Sequence, residues 1–150
     1  MERIDRMSSF LNSLNITGSA LTAERFRMDI ISQNLANIDT TMTEDGTPYR
    51  RKQVVFEERP MDFKAALSSE RHKLGGGVKV TRVVESQEDF IPVYDPEHPH
   101  ADENGYVMKP NVDRAEETID LMAASTAYNA NITALNIVKT MTMKALELGK

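Results

Sequence analysis

The most constraining feature of this sequence is a seven-residue repeat that opens it. Met7, Leu14, Leu21, Met28 and Leu35 recur at every seventh position. Phe10, Ile31 and Ile38 fall three residues after members of that series, where a second seam position belongs. Thr17 and Glu24 interrupt the second row, so the heptad is imperfect. The spacing predicts one helix over residues 4–38, about 50 Å long at ~1.5 Å per residue. A compact chain of 150 residues has no need of a helix that long unless much of its surface meets another helix.

A second long helix is predicted over 113–149. Asp113 is placed to cap it, with Glu116 three residues on in the capping-box position. Glu116, Glu117 and Asp120 lie near the positive end of the helix dipole, and Lys139, Lys144 and Lys150 near the negative end. Leu121, Tyr128 and Leu135 repeat every seven residues, with Ala124, Val138 and Ala145 three further on. Between Leu121 and Val138 no residue is charged, yet Ser125, Thr126, Asn129, Asn131, Thr133 and Asn136 make the stretch too polar to insert in a membrane. A helix uncharged all round is expected to be covered by protein on several sides.

The middle differs. All six prolines, Pro48, Pro60, Pro92, Pro96, Pro99 and Pro110, lie within 41–112. Val54-Val55-Phe56 and the alternating Val78–Val83 run predict strands. Phe90–Tyr94 is extended, and Pro92 makes it an edge at best. Met61–Ser68 is compatible with a short helix, and Gly75-Gly76-Gly77 with a flexible connection. The fold class expected is therefore mainly α with a small β-rich insert, the long N- and C-terminal helices pairing as an antiparallel coiled coil. Residues 1–40 and 113–150 would form one discontinuous coiled-coil domain, and 41–112 the insert domain.

Composition removes several function classes. A net charge of −5 argues against a nucleic-acid binder. The basic clusters Arg50-Arg51-Lys52 and Arg71-His72-Lys73 are short, and read as solvated faces. The absence of cysteine removes thiolate metal sites, disulfides and a cysteine nucleophile. No cleavable signal peptide is recognisable in the charged opening residues. The nine methionines could form an adaptable binding surface, but several sit on the heptad seams and are read as core.

The densest group of potential ligands is Asp95-Pro96-Glu97-His98-Pro99-His100-Ala101-Asp102-Glu103. Its prolines hold the chain extended and spread the side chains apart, so a metal site is discounted there. Asp102-Glu103-Asn104-Gly105 lacks calcium-loop spacing and reads as a tight turn. No phosphate loop, nucleophile elbow or acid–base pair is found. No cofactor, small-molecule substrate or catalytic residue is expected.

The segment Ile31-Ser32-Gln33-Asn34-Leu35-Ala36-Asn37-Ile38-Asp39-Thr40 resembles the S-x-N-L-A-N-x-x-T signature of flagellar axial proteins, the rod, hook and hook-associated subunits. Three further stretches are similar to the rod members: Gly46–Lys52, Tyr94–Val107, and Asp120–Ser125 with Tyr128 and Asn131. The resemblance implies a subunit exported without processing through the flagellar type III apparatus. It would assemble helically with other rod subunits and copies of itself in the periplasm, its helices lining an inner tube and its insert facing outward. The residues expected to carry helix packing and assembly are Met7, Leu14, Leu21, Met28, Ile31, Asn34, Leu35, Asn37, Leu121, Ala124, Tyr128, Leu135 and Val138. Asn34 and Asn37 are expected to cap the first helix and set its exit path. Two rival classes are a coiled-coil adaptor that forms a small defined oligomer, and a metal-dependent enzyme using His98 and His100. A motility defect on deletion would separate the first from the rod reading, and metal analysis the second.

Overall fold

A computed structural model describes residues 2–59 and 76–147, with side chains from residue 10 onward. The element order is α1 (Glu2–Ala36), β1 (Lys52–Glu58), β2 (Val78–Glu85), β3 (Ile91–Tyr94), β4 (Tyr106–Lys109) and α2 (Arg114–Glu147). The helices run for 35 and 34 residues and pack together. The rest of the described residues form irregular chain and two two-stranded sheets.

Both helices form where the heptads place them. The α1 ladder ends at Ala36; the Asn37 amide still bonds the Gln33 carbonyl at 3.1 Å, and the Thr40 amide then bonds the Asn37 carbonyl. Among the described residues positive φ is confined to glycines, so Asn37 closes the helix without left-handed backbone. Its Nδ2 donates to the Gln33 carbonyl at 2.9 Å, and its Oδ1 accepts from the Thr40 hydroxyl. At the start of α2, Asp113 Oδ1 accepts from the amides of Ala115 and Glu116 at 2.7 and 3.1 Å, satisfying two of the donors that a helix start leaves free.

The two strands first in sequence form a ribbon. Arg59 N–H bonds the Gly77 carbonyl and Ser86 N–H bonds the Arg51 carbonyl, so the pairing is antiparallel. The alternation expected for β2 is not realised in burial: Thr81, Arg82 and Val83 are all exposed. Strand β4 was not anticipated. It pairs antiparallel with β3 in the register Ile91–Lys109, Pro92–Met108, Val93–Val107 and Tyr94–Tyr106. The short helix expected over Met61–Ser68, the Arg71-His72-Lys73 cluster and Gly75 lie outside the described residues.

The chain divides into two compact units, one of residues 1–26, 56–81 and 124–150, the other of 27–55 and 82–123. In the first unit Ser19, Ala23 and Ala124 are buried. Its close packing depends on Gly77, whose φ of +92° and missing side chain let β2 begin directly against α1. A Cβ there would collide with Ser19 Oγ and lie 3.3 Å from Ile16 Cα. Ser19 Oγ donates to the Ile16 carbonyl and accepts from the Val78 amide at 3.0 Å. The second unit buries Ile30, Ile31, Val107, Pro110 and Val112, and with them an unusual set of polar side chains.

Candidate assembly site

The polar set is built around Asn34, in the last turns of α1, and Glu117, in the first turn of α2. Both are 1 % exposed. Asn34 uses both ends of its amide. Nδ2 donates to Glu117 Oε2 and to the Lys52 carbonyl, both at 2.9 Å. Oδ1 accepts from the Tyr49 hydroxyl and the Lys52 amide, also at 2.9 Å. Asn34 therefore is not a helix cap, the role expected from its sequence position. It does hold the chain that leaves α1, by fixing Tyr49 and Lys52 across the helix end.

Arg51 completes the cluster. Its Nε donates to Glu117 Oε1, and its Nη2 lies 3.1 Å from Glu116 Oε1 and 3.3 Å from Asp120 Oδ2. Asp120 Oδ1 in turn accepts from Arg27 Nη2 at 3.2 Å. The two interhelical contacts, Arg27–Asp120 and Asn34–Glu117, show the helices running in opposite directions here. The Arg51 amide donates to Asn111 Oδ1 at 2.8 Å. Burial alone would lower the basicity of Arg51. The hydrogen bond to Glu117 and the charges of Glu117, Glu116 and Asp120 outweigh it, so its pKa is raised. Burial first, then the Glu117 and Glu85 charges, raise the Tyr49 phenol.

This overturns one reading of the sequence. Arg50-Arg51-Lys52 is not a solvated face. Arg51 is buried among carboxylates, and Arg50 lies 4.3 Å over the Phe90 ring while donating to the Ser86 carbonyl. Arg50 and Arg51 precede β1, and Lys52, which opens it, puts its Nζ 5.4 Å from the Tyr49 ring, so three neighbouring cations end in three environments. Glu116, expected to complete the capping box, instead turns its carboxylate to Arg51.

Of the residues expected to pack, Ile31, Asn34 and Ala124 are buried, Ala124 completely. Leu14, Leu21, Met28, Leu35, Asn37, Leu121, Tyr128, Leu135 and Val138 are half-buried, and the Met7 side chain lies outside the described residues. Tyr49, Arg51, Asn111 and Glu117 were not anticipated, because their burial depends on partners distant in sequence. In the His98–His100 loop, the rings meet edge to face at 5.3 Å. His100 Nδ1 is 2.9 Å from Thr41 Oγ1, and His98 Nδ1 accepts from the His100 amide.

A second surface of α2 is uncovered. In one unit Ile119 and Met122 are 67 % and 66 % exposed; in the other, Ile137 and Met141 are open and line a shallow groove with Thr133, Asn136, Thr140 and Lys144. No described helix is long and apolar enough to cross a membrane. Open apolar helix faces of this kind mark protein contacts, membrane contacts or ligand grooves.

Comparison with known proteins decides which kind. Residues 14–41 match the family model "flagella basal body rod protein", and 103–148 match "flagellar basal body rod FlgEFG protein C-terminal". The chain is 47 % identical to flagellar basal-body rod protein FlgC of Bacillus subtilis over 96 % of its own length and 100 % of that protein's. It is 46 % identical to FlgC of Salmonella typhimurium, covering 95 % and 99 % of the two chains. With FlgC of Borreliella burgdorferi it shares 38 % identity over 91 % and 95 %. The chain belongs to the FlgC family of flagellar basal-body rod proteins. A FlgC-family chain is a structural rod subunit and not an enzyme. The first matched region covers most of α1 with its exit; the second covers β4 and α2. The Asn34–Glu117 contact joins them.

Proposed function

We propose that this chain builds the periplasmic rod by packing its terminal helices, paired as an antiparallel coiled coil, against other rod subunits and copies of itself. On this reading 1–40 and 113–150 form one discontinuous domain around an inner channel, and 41–112 faces outward. The subunit reaches the site unprocessed through the flagellar type III export apparatus, and the finished rod carries motor torque and encloses the export path. The residues that pack and assemble are the heptad positions from Met7 to Val138, with Asn34 and Asn37 holding the exit from α1.

The observation that supports this most is the open face of α2. Ile119, Met122, Ile137 and Met141 are each more than half exposed, on a helix with no charge from Leu121 to Val138. A lone subunit leaves that surface in water, and assembly would cover it. The test is complementation of a deletion strain with Ile119→Glu or Ile137→Glu. Each should fold with stability within about 0.5 kcal/mol of the parent, as exposed substitutions do, yet fail to restore swimming, with basal bodies arrested before hook growth. Normal motility in both variants would refute the proposal.

A further inference from the structure

One face of the β3–β4 hairpin plays no part in the helix contacts. The register pairs Tyr94 with Tyr106 and Pro92 with Met108. Residues two apart on a strand share a face, so these four side chains form one surface. Tyr94 is 66 % exposed, Tyr106 43 % and Met108 47 %, and Pro92 is also exposed. The opposite face carries Val107, which is buried, and half-buried Val93. Ile91 and Lys109 share that face at its far end, with Ile91 49 % exposed, so the hairpin turns Val93 and Val107 inward and both tyrosines out.

The aromatic side is held in place. The Tyr94 and Tyr106 rings meet at 5.3 Å and 67°. Gly105, at φ +81°, lies under Tyr94: a Cβ there would be 3.0 Å from the ring and 3.2 Å from Pro96. Asp102 Oδ1 fixes the turn by accepting from the Asn104 and Tyr106 amides at 2.9 and 2.8 Å. An exposed tyrosine pair with few rotamers left to lose is a preorganised contact surface.

The charge around it selects the partner. Residues 83–108 contain Glu85, Glu88, Asp89, Asp95, Glu97, Asp102 and Glu103, and no lysine or arginine. Of the cations flanking this segment, Lys109 pairs with Asp39 at 3.7 Å and Arg50 lies over Phe90 and donates to the Ser86 and Glu88 carbonyls, while Arg82 lies on β2, outside the hairpin, and is exposed. Tyrosine faces with carboxylates beside them attract a guanidinium, which stacks on the ring while its N–H groups reach the acids. We propose that this face docks an arginine-bearing basic surface of a protein other than this chain. A second copy is the poorer occupant, because the chain itself carries a net charge of −5. The inference rests on the hairpin alone and is separate from assembly through α2.

The test is an NMR titration of the full chain with a capped arginine–serine repeat peptide, compared with its lysine and citrulline counterparts. The arginine peptide should shift Tyr94, Tyr106 and Met108 resonances saturably, and bind about tenfold more tightly than the lysine peptide. Its affinity should fall with added salt and be lost with citrulline. Tyr94→Ser/Tyr106→Ser should weaken binding at least about tenfold. Asp95→Asn/Glu97→Gln/Glu103→Gln, which leaves the rings and the Asp102 turn untouched, should do the same, so a tyrosine variant that misfolds does not leave the matter open. Three results would each overturn the proposal: no saturable shift at the hairpin, equal binding of both basic peptides, or sedimentation showing a dimer that Tyr94→Ser/Tyr106→Ser abolishes.

Discussion

The Arg51–Glu117 pair allows a quantitative test of what holds the second unit together. The two side chains are 8 % and 1 % exposed. Removing one member of a buried pair costs about 3–5 kcal/mol, because the other is left charged out of water. Where in that range each variant falls follows from the remaining partners. Glu117→Ala leaves Arg51 with Glu116 and Asp120 at 3.1 and 3.3 Å, so about 3 kcal/mol is expected. Arg51→Met leaves the Glu117 carboxylate with the Asn34 amide as its remaining side-chain bond, so the upper end, about 5 kcal/mol, is expected. The double variant Arg51→Met/Glu117→Leu strands neither charge and fills the space with apolar atoms. Such exchanges are often near neutral, and here about 1–3 kcal/mol should remain, for the Asn34 donor that loses one acceptor. Urea unfolding of the four chains, followed by helix ellipticity, gives the cycle. The double variant should be more stable than either single one, a coupling of several kcal/mol. Additivity within about 0.5 kcal/mol would refute the reasoning, since it would mean that the two side chains act independently.

Three further outcomes follow from single contacts. Gly77→Ala should cost at least about 1–2 kcal/mol from its left-handed backbone, and more with Ser19 present than in a Ser19→Ala background; equal cost in both backgrounds would show that the Ser19 contact is not made. Tyr49 has a raised pKa, so its folded phenol keeps a proton at pH values where the unfolded chain has lost it. Stability should therefore fall as pH rises above about 10, and the tyrosinate absorbance component missing from Tyr49→Phe should titrate above that value. Asn37→Ala removes the bonds to the Gln33 carbonyl and the Thr40 hydroxyl; about 0.5–1 kcal/mol should be lost and swimming impaired, whereas normal motility would argue that the exit from α1 needs no such tie.

The helices were legible in the sequence because their signals are local and repeated. A seven-residue period, a capping aspartate at 113 and an uninterrupted apolar row each act within a turn or two. β4 was not legible. Tyr106–Lys109 is four residues long, its exposed face is as apolar as its inward one, and its partner lies across an eleven-residue connection spanning 95–105. The polar cluster was hidden for a related reason. Arg51 and Glu117 lie 66 positions apart, and a charge run or a helix-start acid is usually solvated. The one partial signal was Asn34, which flanks the seam residues Ile31 and Leu35 and so lies close enough to the helix contact to be buried.

That position suggests why the cluster is polar at all. Heptads tolerate sliding: Met7, Leu14, Leu21, Met28 and Leu35 are near-equivalent knobs, and a shift by seven residues against the alanine-rich α2 would still bury apolar surface. A buried polar residue flanking the seam, satisfied only by specific partners, can forbid such shifts, at some cost in stability. Asn34 makes four directional bonds, to Glu117, Tyr49 and both backbone groups of Lys52, and no seven-residue shift reproduces them. For a subunit whose open faces must match neighbours, register matters more than the few kcal/mol that an apolar seam would add. The Arg51→Met/Glu117→Leu chain, with Asn34→Leu added, should therefore stay folded while losing uniqueness. Its amide NMR spectrum should show more than one set of α1 and α2 resonances, and it should fail to support swimming. A single sharp set together with normal motility would show that the heptads fix the register unaided.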